Sequence, residues 1–355
     1  AYTGLVLKDR RPPVAGALTA LREVRIIGRS VGLKFEIAQA TVENPVEIVA
    51  DIETAMVETK AQVLLLDLPL DYFKKTVEAF GDRPEVILFN IRHGDEALRE
   101  TDCAPALFHT IPSRSMLTDG LAQYLNSLGW KRVLVLAGEG ADDQAIAGHF
   151  ERSAVKFGLT VAARRPFVLS NDPREREKNN VALMTGNARY DVVFLADQAG
   201  EFGRYVPYGT YLARPVVGSE GLSASAWHWT WERHGAPQLN QRFDRQANRR
   251  MQDEDWAAWA AIRSTVEAIV RSGGADIGLV RAMMTSGEFT FEGPKNVRRH
   301  HVGNISARHS DLFDHARTQV RVVEIGKQAD GFDPRCKSLV GQRHLVLPVK
   351  VVHHA

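Results

Sequence analysis

The segment Trp227-His228-Trp229-Thr230-Trp231-Glu232-Arg233 places three of the chain's six tryptophans within five positions. In an extended segment Trp227, Trp229 and Trp231 would share one face at i, i+2 and i+4. Such a face is a flat, rigid stacking surface for a planar conjugated molecule, and nearby arginines would add pairing for its carboxylates. An aromatic packing cluster between two lobes accounts for the same pattern, and the sequence leaves both open.

Templates for catalysis and cofactors fit less well. Gly218-Ser219-Glu220-Gly221 lacks the G-x-S-x-G spacing of a nucleophile elbow, and Gly326-Lys327 is followed by Gln328 without the loop that wraps phosphates. Gly138-Glu139-Gly140 lies between a strand and a helix, but Asp143 stands where the third glycine of a dinucleotide fingerprint belongs. His300, His301, His309, Asp311 and His315 lack helical metal-ligand spacing and read as a solvated hairpin. Asp142-Asp143 and Asp253-Glu254-Asp255 read as helix N-terminal carboxylates, since neither run supplies the alternating oxygen ligands of a calcium loop. The expectation is therefore no catalytic residue, no metal and no catalytic cofactor.

Composition narrows the classes further. A chain of 355 residues suggests two domains, and 44% hydrophobic with 25% charged residues is globular. Lys and Arg number 45 against 43 Asp and Glu, a net charge of +2 that offers no general attraction to nucleic acid or to an anionic membrane. The strongest apolar run, Val63-Leu64-Leu65-Leu66, meets Asp67 after four residues, so a membrane-embedded protein is not expected. The first residue is Ala1, with neither a basic nor an apolar leader region after it, so a targeting segment has been removed or never existed. Two cysteines, Cys103 and Cys336, are too few for a zinc ribbon or iron–sulfur cluster but allow one bridge.

Strand-length apolar runs alternate with amphipathic helix-length segments from about residue 12 to 218, the pattern of parallel βα units. Helices are expected over 12–29, 45–60, 70–80 and 113–128, with strands over 33–40, 63–67, 85–90 and 106–110. After Gly129 the alternation restarts with a strand at 133–136, helix 143–157, strand 159–163, helix 174–186, strand 192–196, a helix from about Gly200 and strand 216–217. Three helices follow at 238–250, 256–271 and 277–286, and then β segments at 289–291 and 320–324. The fold class is α/β, with two Rossmann-like lobes, a hinge and a cleft between them. Lobe 1 is taken as 1–119 with about 238–325, and lobe 2 as 120–237 with about 326–345. Crossovers are expected near 118–130, 222–238 and 320–330.

In open α/β sheets ligands bind beyond the carboxyl ends of strands. Those ends supply Asp67, Asn90, Arg92, His109 and Ser113 in the first lobe, and Glu139, Asp197, Gln198 and Ser219 in the second. Arg114 follows Ser113, whose position before a helix would favour an anion. For Arg92 and Arg114 an ion pair is as good a reading as ligand contact, and His109 also reads as a satisfied core residue.

Several stretches resemble type I periplasmic solute-binding proteins of the branched-chain amino acid receptor kind. They are Gly28-Arg29-Ser30-Val31-Gly32-Leu33-Lys34-Phe35-Glu36, Ala106-Leu107-Phe108-His109-Thr110-Ile111-Pro112-Ser113 and Leu128-Gly129-Trp130-Lys131-Arg132-Val133. The stretch from Trp229 through Pro237 to Asn240, with Asp255-Trp256-Ala257-Ala258-Trp259-Ala260, is similar to the branch associated with pyrroloquinoline quinone (PQQ) dependent alcohol dehydrogenase systems. The resemblance implies a periplasmic, monomeric, non-catalytic binding protein whose signal peptide has been removed. Its partners would be the membrane subunits of an ABC importer, and its ligand a small anionic aromatic solute such as PQQ. Leu68-Pro69-Leu70 and Arg92-His93 stand where the amino acid receptors carry small Ser/Thr-rich loops, which argues against an α-amino acid. If Tyr2–Leu7 is the first strand, Lys8, Arg10 and Arg11 are cleft residues, and Lys8 is a candidate for adding to a quinone carbonyl. The alternatives are a receptor for another metabolite or metal complex of alcohol oxidation, or a quinone-modifying enzyme or chaperone.

Export to an oxidising compartment would pair Cys103 with Cys336 and tie the carboxyl-terminal segment to the first lobe. Alkylation of the unfolded, unreduced protein followed by mass measurement should then find no free thiol; two alkylated cysteines would exclude the bridge.

Overall fold

The computed structural model describes residues 11–40, 47–232, 235–286, 289 and 350–353. It divides into an amino-terminal unit, holding Pro12–Ser113 and the helices after Ala226, and a central unit, Arg114–Ser225. The amino-terminal unit begins with α1 (Val14–Ser30), β1 (Leu33–Glu36), α2 (Ile48–Thr59), β2 (Val63–Leu66), α3 (Leu70–Phe80), β3 (Ile87–Asn90) and β4 (Leu107–His109). Strands β2, β3 and β4 form a parallel sheet in that order. Their near-continuous burial is what parallel strands covered on both faces require.

In the central unit α4 (Arg114–Ser127), β5 (Arg132–Gly138), α5 (Ala141–Lys156) and β6 (Thr160–Phe167) are followed by the short helices α6 (Pro173–Glu177) and α7 (Val181–Thr185). Strand β7 (Val192–Ala196), the one-turn α8 (Val206–Gly209) and β8 (Val216–Gly218) complete it. The sheet order is β6-β5-β7-β8, all parallel. Strand β6 lies at an edge, which explains why it alternates in exposure and tolerates Pro166. Gly129, just past α4, has φ 75°, a left-handed turn that suits glycine after a helix.

The remaining helices, α9 (Ala236–Ala247), α10 (Asp253–Ser272) and α11 (Ile277–Thr285), rejoin the amino-terminal unit. Helix α10 is buried along most of its length and carries Ala257, Ala258, Ala260 and Ala261, small enough for neighbours to approach closely. Helix α1 packs on it so tightly that a Cβ on Gly16 would overlap the Asp255 carbonyl. The first turn of α10 is closed by a capping box between Gln252 and Asp255. The Asp255 carboxylate, 1% exposed, also accepts from both terminal nitrogens of Arg249 at 2.6 and 2.8 Å. Arg249, itself partly exposed, reaches the Pro12 carbonyl at 3.2 Å as well, so one ion pair joins the entry to α1, the α9–α10 loop and α10.

Several expectations are corrected. The helix expected over 174–186 is two helices, because Asp172 and Asn180 each cap a new start through the N–H groups of Arg174 and Leu183. In place of a helix from Gly200 there is a 3-10 turn, Gly203–Tyr205, leading into α8, since both Asp197 carboxylate oxygens hold loop N–H groups. The units divide between Ser113 and Arg114, ahead of α4, because Leu121, Ala122, Tyr124 and Leu125 share a core with β5 and β7. They divide again between Ser225 and Ala226, as Ala226 and Trp227 pack with α10.

A strand not foreseen, β9 (Lys350–His353), pairs antiparallel with β1 from Leu33↔His353 to Glu36↔Lys350. Cys103 is disulfide-bonded. Cys336, the chain's other cysteine, lies outside the described residues, as do Tyr2–Leu7, 320–324, the third crossover and 326–345. Among the described residues no helix is long and apolar enough to cross a membrane.

Gly16→Ala should lower stability by about 1–3 kcal/mol, because the added methyl forces α1 off α10. Gly274→Ala, which meets open space, should change it by no more than about 0.5 kcal/mol. Urea unfolding midpoints of the two variants check the contrast; equal midpoints would remove the close-approach argument.

Candidate functional site

The carboxyl ends of β2, β3 and β4 are in register, with Leu66 opposite Asn90 and Asn90 opposite His109. Asn90 is fully buried and is the hub of this edge. Its Oδ1 accepts from the backbone N–H groups of Arg92 and His93 at 3.0 and 2.8 Å, which fixes the amide orientation. Its Nδ2 therefore donates, to the His93 carbonyl at 2.7 Å and to His109 Nδ1 at 3.0 Å. His109, also buried, is consequently a neutral imidazole with its proton on Nε2. Arg92 and Asp67, both half-buried, form an ion pair at 3.6 Å. The edge thus offers a paired guanidinium, a carboxylate and neutral hydrogen-bonding groups.

His93 is the least prominent of these residues in the sequence, yet its Nε2 donates to the Leu68 carbonyl at 2.8 Å and its ring meets the Phe73 ring edge-on at 5.2 Å. Burial lowers its pKa below the ordinary imidazole value, against the opposing effect of the Leu68 bond, with the Arg92 charge acting in the same direction as burial. Asparagine at a strand end, two and three residues before the amides it caps, is the signal the sequence offers for this turn. Ser113 is buried immediately before α4.

In the central unit the carboxyl ends of β5, β7 and β8 are linked through side chains. The Asp197 N–H donates to Ser219 Oγ at 2.9 Å, and Gln198 Nε2 reaches the same oxygen at 3.4 Å. Asp197 is fully buried, and its carboxylate accepts from Gly200 and Gly203 at 2.9 and 2.7 Å, so its charge organises a turn. The Gln198 N–H donates to Asp143 Oδ1 at 2.7 Å. A Cβ on Gly138 would overlap Asp143 Oδ2, so this carboxylate fills the space over the β5 end that a pyrophosphate would need. Glu139 and Gln198 are exposed there, and Ser219 is half-buried. Arg114 pairs with the exposed Asp142 at 2.9 Å.

The three tryptophans do not form one stacking face. Trp227 and Trp231 belong to the hydrophobic core around α10, at 2% and 7% exposure. The Trp227 indole lies nearly parallel to Trp256, 6.3 Å between centroids, and donates from Nε1 to Asn240 Oδ1 at 3.0 Å. Asp253 accepts from the N–H groups of Ala226 and Trp227, pinning the segment to the start of α10. Trp229 alone of the three is open, 42% exposed, with the Arg250 guanidinium 3.2 Å from its ring centroid. Lys8, Arg10, Arg233 and the histidines 300, 301, 309 and 315 lie outside the described residues. Among the described residues no group of three or more His, Cys, Asp or Glu is placed to hold a metal.

No protein-family model matches the sequence. No curated protein matches it either. Solved structures do match in fold. A branched-chain amino acid ABC transporter periplasmic ligand-binding protein from Burkholderia xenovorans LB400 aligns with a TM-score of 0.61 and 10% identity over 78% of each chain. An ABC transporter solute-binding protein from R. palustris, in complex with benzoate, aligns at 0.58 and 13% identity over 79% of this chain and 82% of that one. Another from Rhodopseudomonas palustris BisB5, in complex with 3,4-dihydroxybenzoic acid, aligns at 0.58 and 15% identity with the same coverage. The chain therefore has the α/β fold of these solute-binding proteins.

The strand-end cluster also sets a pH dependence. His93 binds a proton less readily folded than unfolded, so its contribution to stability is present above about pH 6.5 and is lost as pH falls through its lowered folded value. The urea midpoint should drop between pH 7.5 and 5.5, and His93→Gln should flatten that part of the drop; an unchanged pH profile in the variant would contradict the assignment.

Proposed function

We propose that this protein is the solute-binding component of an ABC importer, a periplasmic binding protein rather than an enzyme. The observation that carries the reading is the fold match, which spans about four-fifths of both chains in solute-binding proteins. Two parallel-sheet units, each gathering polar side chains at its strand ends, suit capture by closure of the units on a small solute.

The solute is a small anionic aromatic molecule, with PQQ the specific candidate. Two of the similar structures hold aromatic carboxylates, which supports the class. Among the described strand-end and tryptophan-segment residues, Arg92, Arg114 and the half-open Trp229 suit a carboxylated ring. Burial of Trp227 and Trp231 leaves less aromatic surface for a tricyclic quinone than the sequence suggests. A carboxylate arriving at Arg92 or Arg114 must compete with Asp67 or Asp142, so selectivity would rest on presenting more than one anionic group.

Thermal unfolding with PQQ, benzoate, 3,4-dihydroxybenzoate and leucine, each in large excess, tests the reading. At a hundredfold excess over Kd the ligand adds about 2.7 kcal/mol, a rise in Tm of about 3–4 °C for a chain of this length. A rise with PQQ, and its recovery unchanged after denaturation, is the expected result. A rise with leucine alone would replace the aromatic class by an amino acid. Chemical alteration of PQQ during incubation would overturn the non-enzymatic reading.

A further inference from the structure

On the amino-terminal unit, α1 and β1 border a cavity of about 560 Å³. Its apolar wall is made by Leu21, Leu33 and Phe35, all buried. Among the described residues its charged lining is Arg25, Arg29 and Lys34, with one carboxylate, Glu36, which Lys34 holds at 2.6 Å. Among the described residues neither the Arg25 nor the Arg29 guanidinium has a hydrogen-bond or ion-pair partner. They stand four residues apart on one helix face, where Cβ atoms lie about 5–6 Å from each other and like charges disfavour the helix by a few tenths of a kcal/mol.

We propose that this cavity binds a small dicarboxylate with an apolar body, one carboxylate on each guanidinium and the body against Leu21, Leu33 and Phe35. Guanidinium groups meet carboxylates through two parallel hydrogen bonds, and the like-charge cost on α1 disappears once an anion bridges the pair. The volume falls within the range of small-molecule pockets. A membrane surface fits less well, because lipid-binding basic patches gather four or more cations on an open face, whereas the three described here, one of them the Glu36-paired Lys34, border a concave space. None of the described lining residues belongs to the strand-end clusters, so the site stands apart from the solute reading above.

The probe is phthalate, titrated calorimetrically into the full chain at low ionic strength. Saturable one-to-one binding is expected, weakened about tenfold or more by Arg25→Ala and by Arg29→Ala, with benzoate binding more weakly than phthalate. Arg22→Ala, on the same helix but outside the cavity, should bind phthalate as the unaltered protein does. Alanine favours a helix, so the variants should keep their fold, which far-ultraviolet circular dichroism and Tm verify. Absence of saturation at millimolar phthalate, an equal loss in Arg22→Ala, or retention in both cavity variants with loss in Arg92→Ala would each overturn the proposal. Capture by phosphatidylglycerol vesicles without phthalate binding would overturn it in favour of a lipid surface.

Discussion

The pairing of Arg249 with the buried Asp255 carboxylate is the constraint on which the amino-terminal unit depends. Removing Arg249 would leave that carboxylate buried without its cation, a loss of about 3–5 kcal/mol where both partners are fully buried and less here, since Arg249 stays partly exposed. The same aspartate closes the capping box of α10, while its backbone carbonyl lies against Gly16 of α1. The entry to α1 thus meets, at one residue and across more than two hundred positions of sequence, the loop after α9 and the first turn of α10 that follows it. Two residues earlier, Asp253 holds the returning segment at Ala226 and Trp227. The helix that rejoins the unit is anchored at its amino terminus by carboxylates whose charge also favours the helix dipole.

Both strand-end clusters show polar groups serving backbone geometry before any ligand. Asn90 shapes the turn after β3 with its oxygen and orients His109 with its nitrogen. Asp197 holds two loop amides, and Asp143 a third. Arg92 stands at the rim of the first cluster, and Glu139, Gln198 and Ser219 at that of the second. Their precision comes from buried neighbours that fix the turns carrying them. At the ends of β3 and β4 the polar groups are likewise committed, His109 held as an acceptor at Nδ1 and His93 bonded to a carbonyl.

Much of the fold can be read from the chain. Helix 70–80 and strand 192–196 coincide with the sequence expectation, and the restart after Gly129 marks the first strand of the central unit. These succeed because a buried parallel strand is a short continuous apolar run and its helix is amphipathic, both local patterns. Failures occur where side chains override propensity. Residues 174–186 divide because Asn180 caps a second helix, and residues after 200 tighten because a strand-end aspartate takes their amides. The antiparallel β1–β9 pair joins residues more than three hundred positions apart and leaves no local trace.

Spacing along the chain is enough to establish the alternation of parallel strands and helices, the lack of standard nucleophile and phosphate motifs, and the roster of polar residues at strand ends. What those residues are used for emerges only on packing. Trp227 and Trp231 are core, and for Trp227 the partners that let an indole and its backbone be buried, Asn240 and Asp253, come from thirteen and twenty-six residues further on. Arg92 is a paired cation because β2 brings Asp67 beside it. Burial and pairing depend on which elements pack together, and that information is held in the assembled units rather than in any one segment.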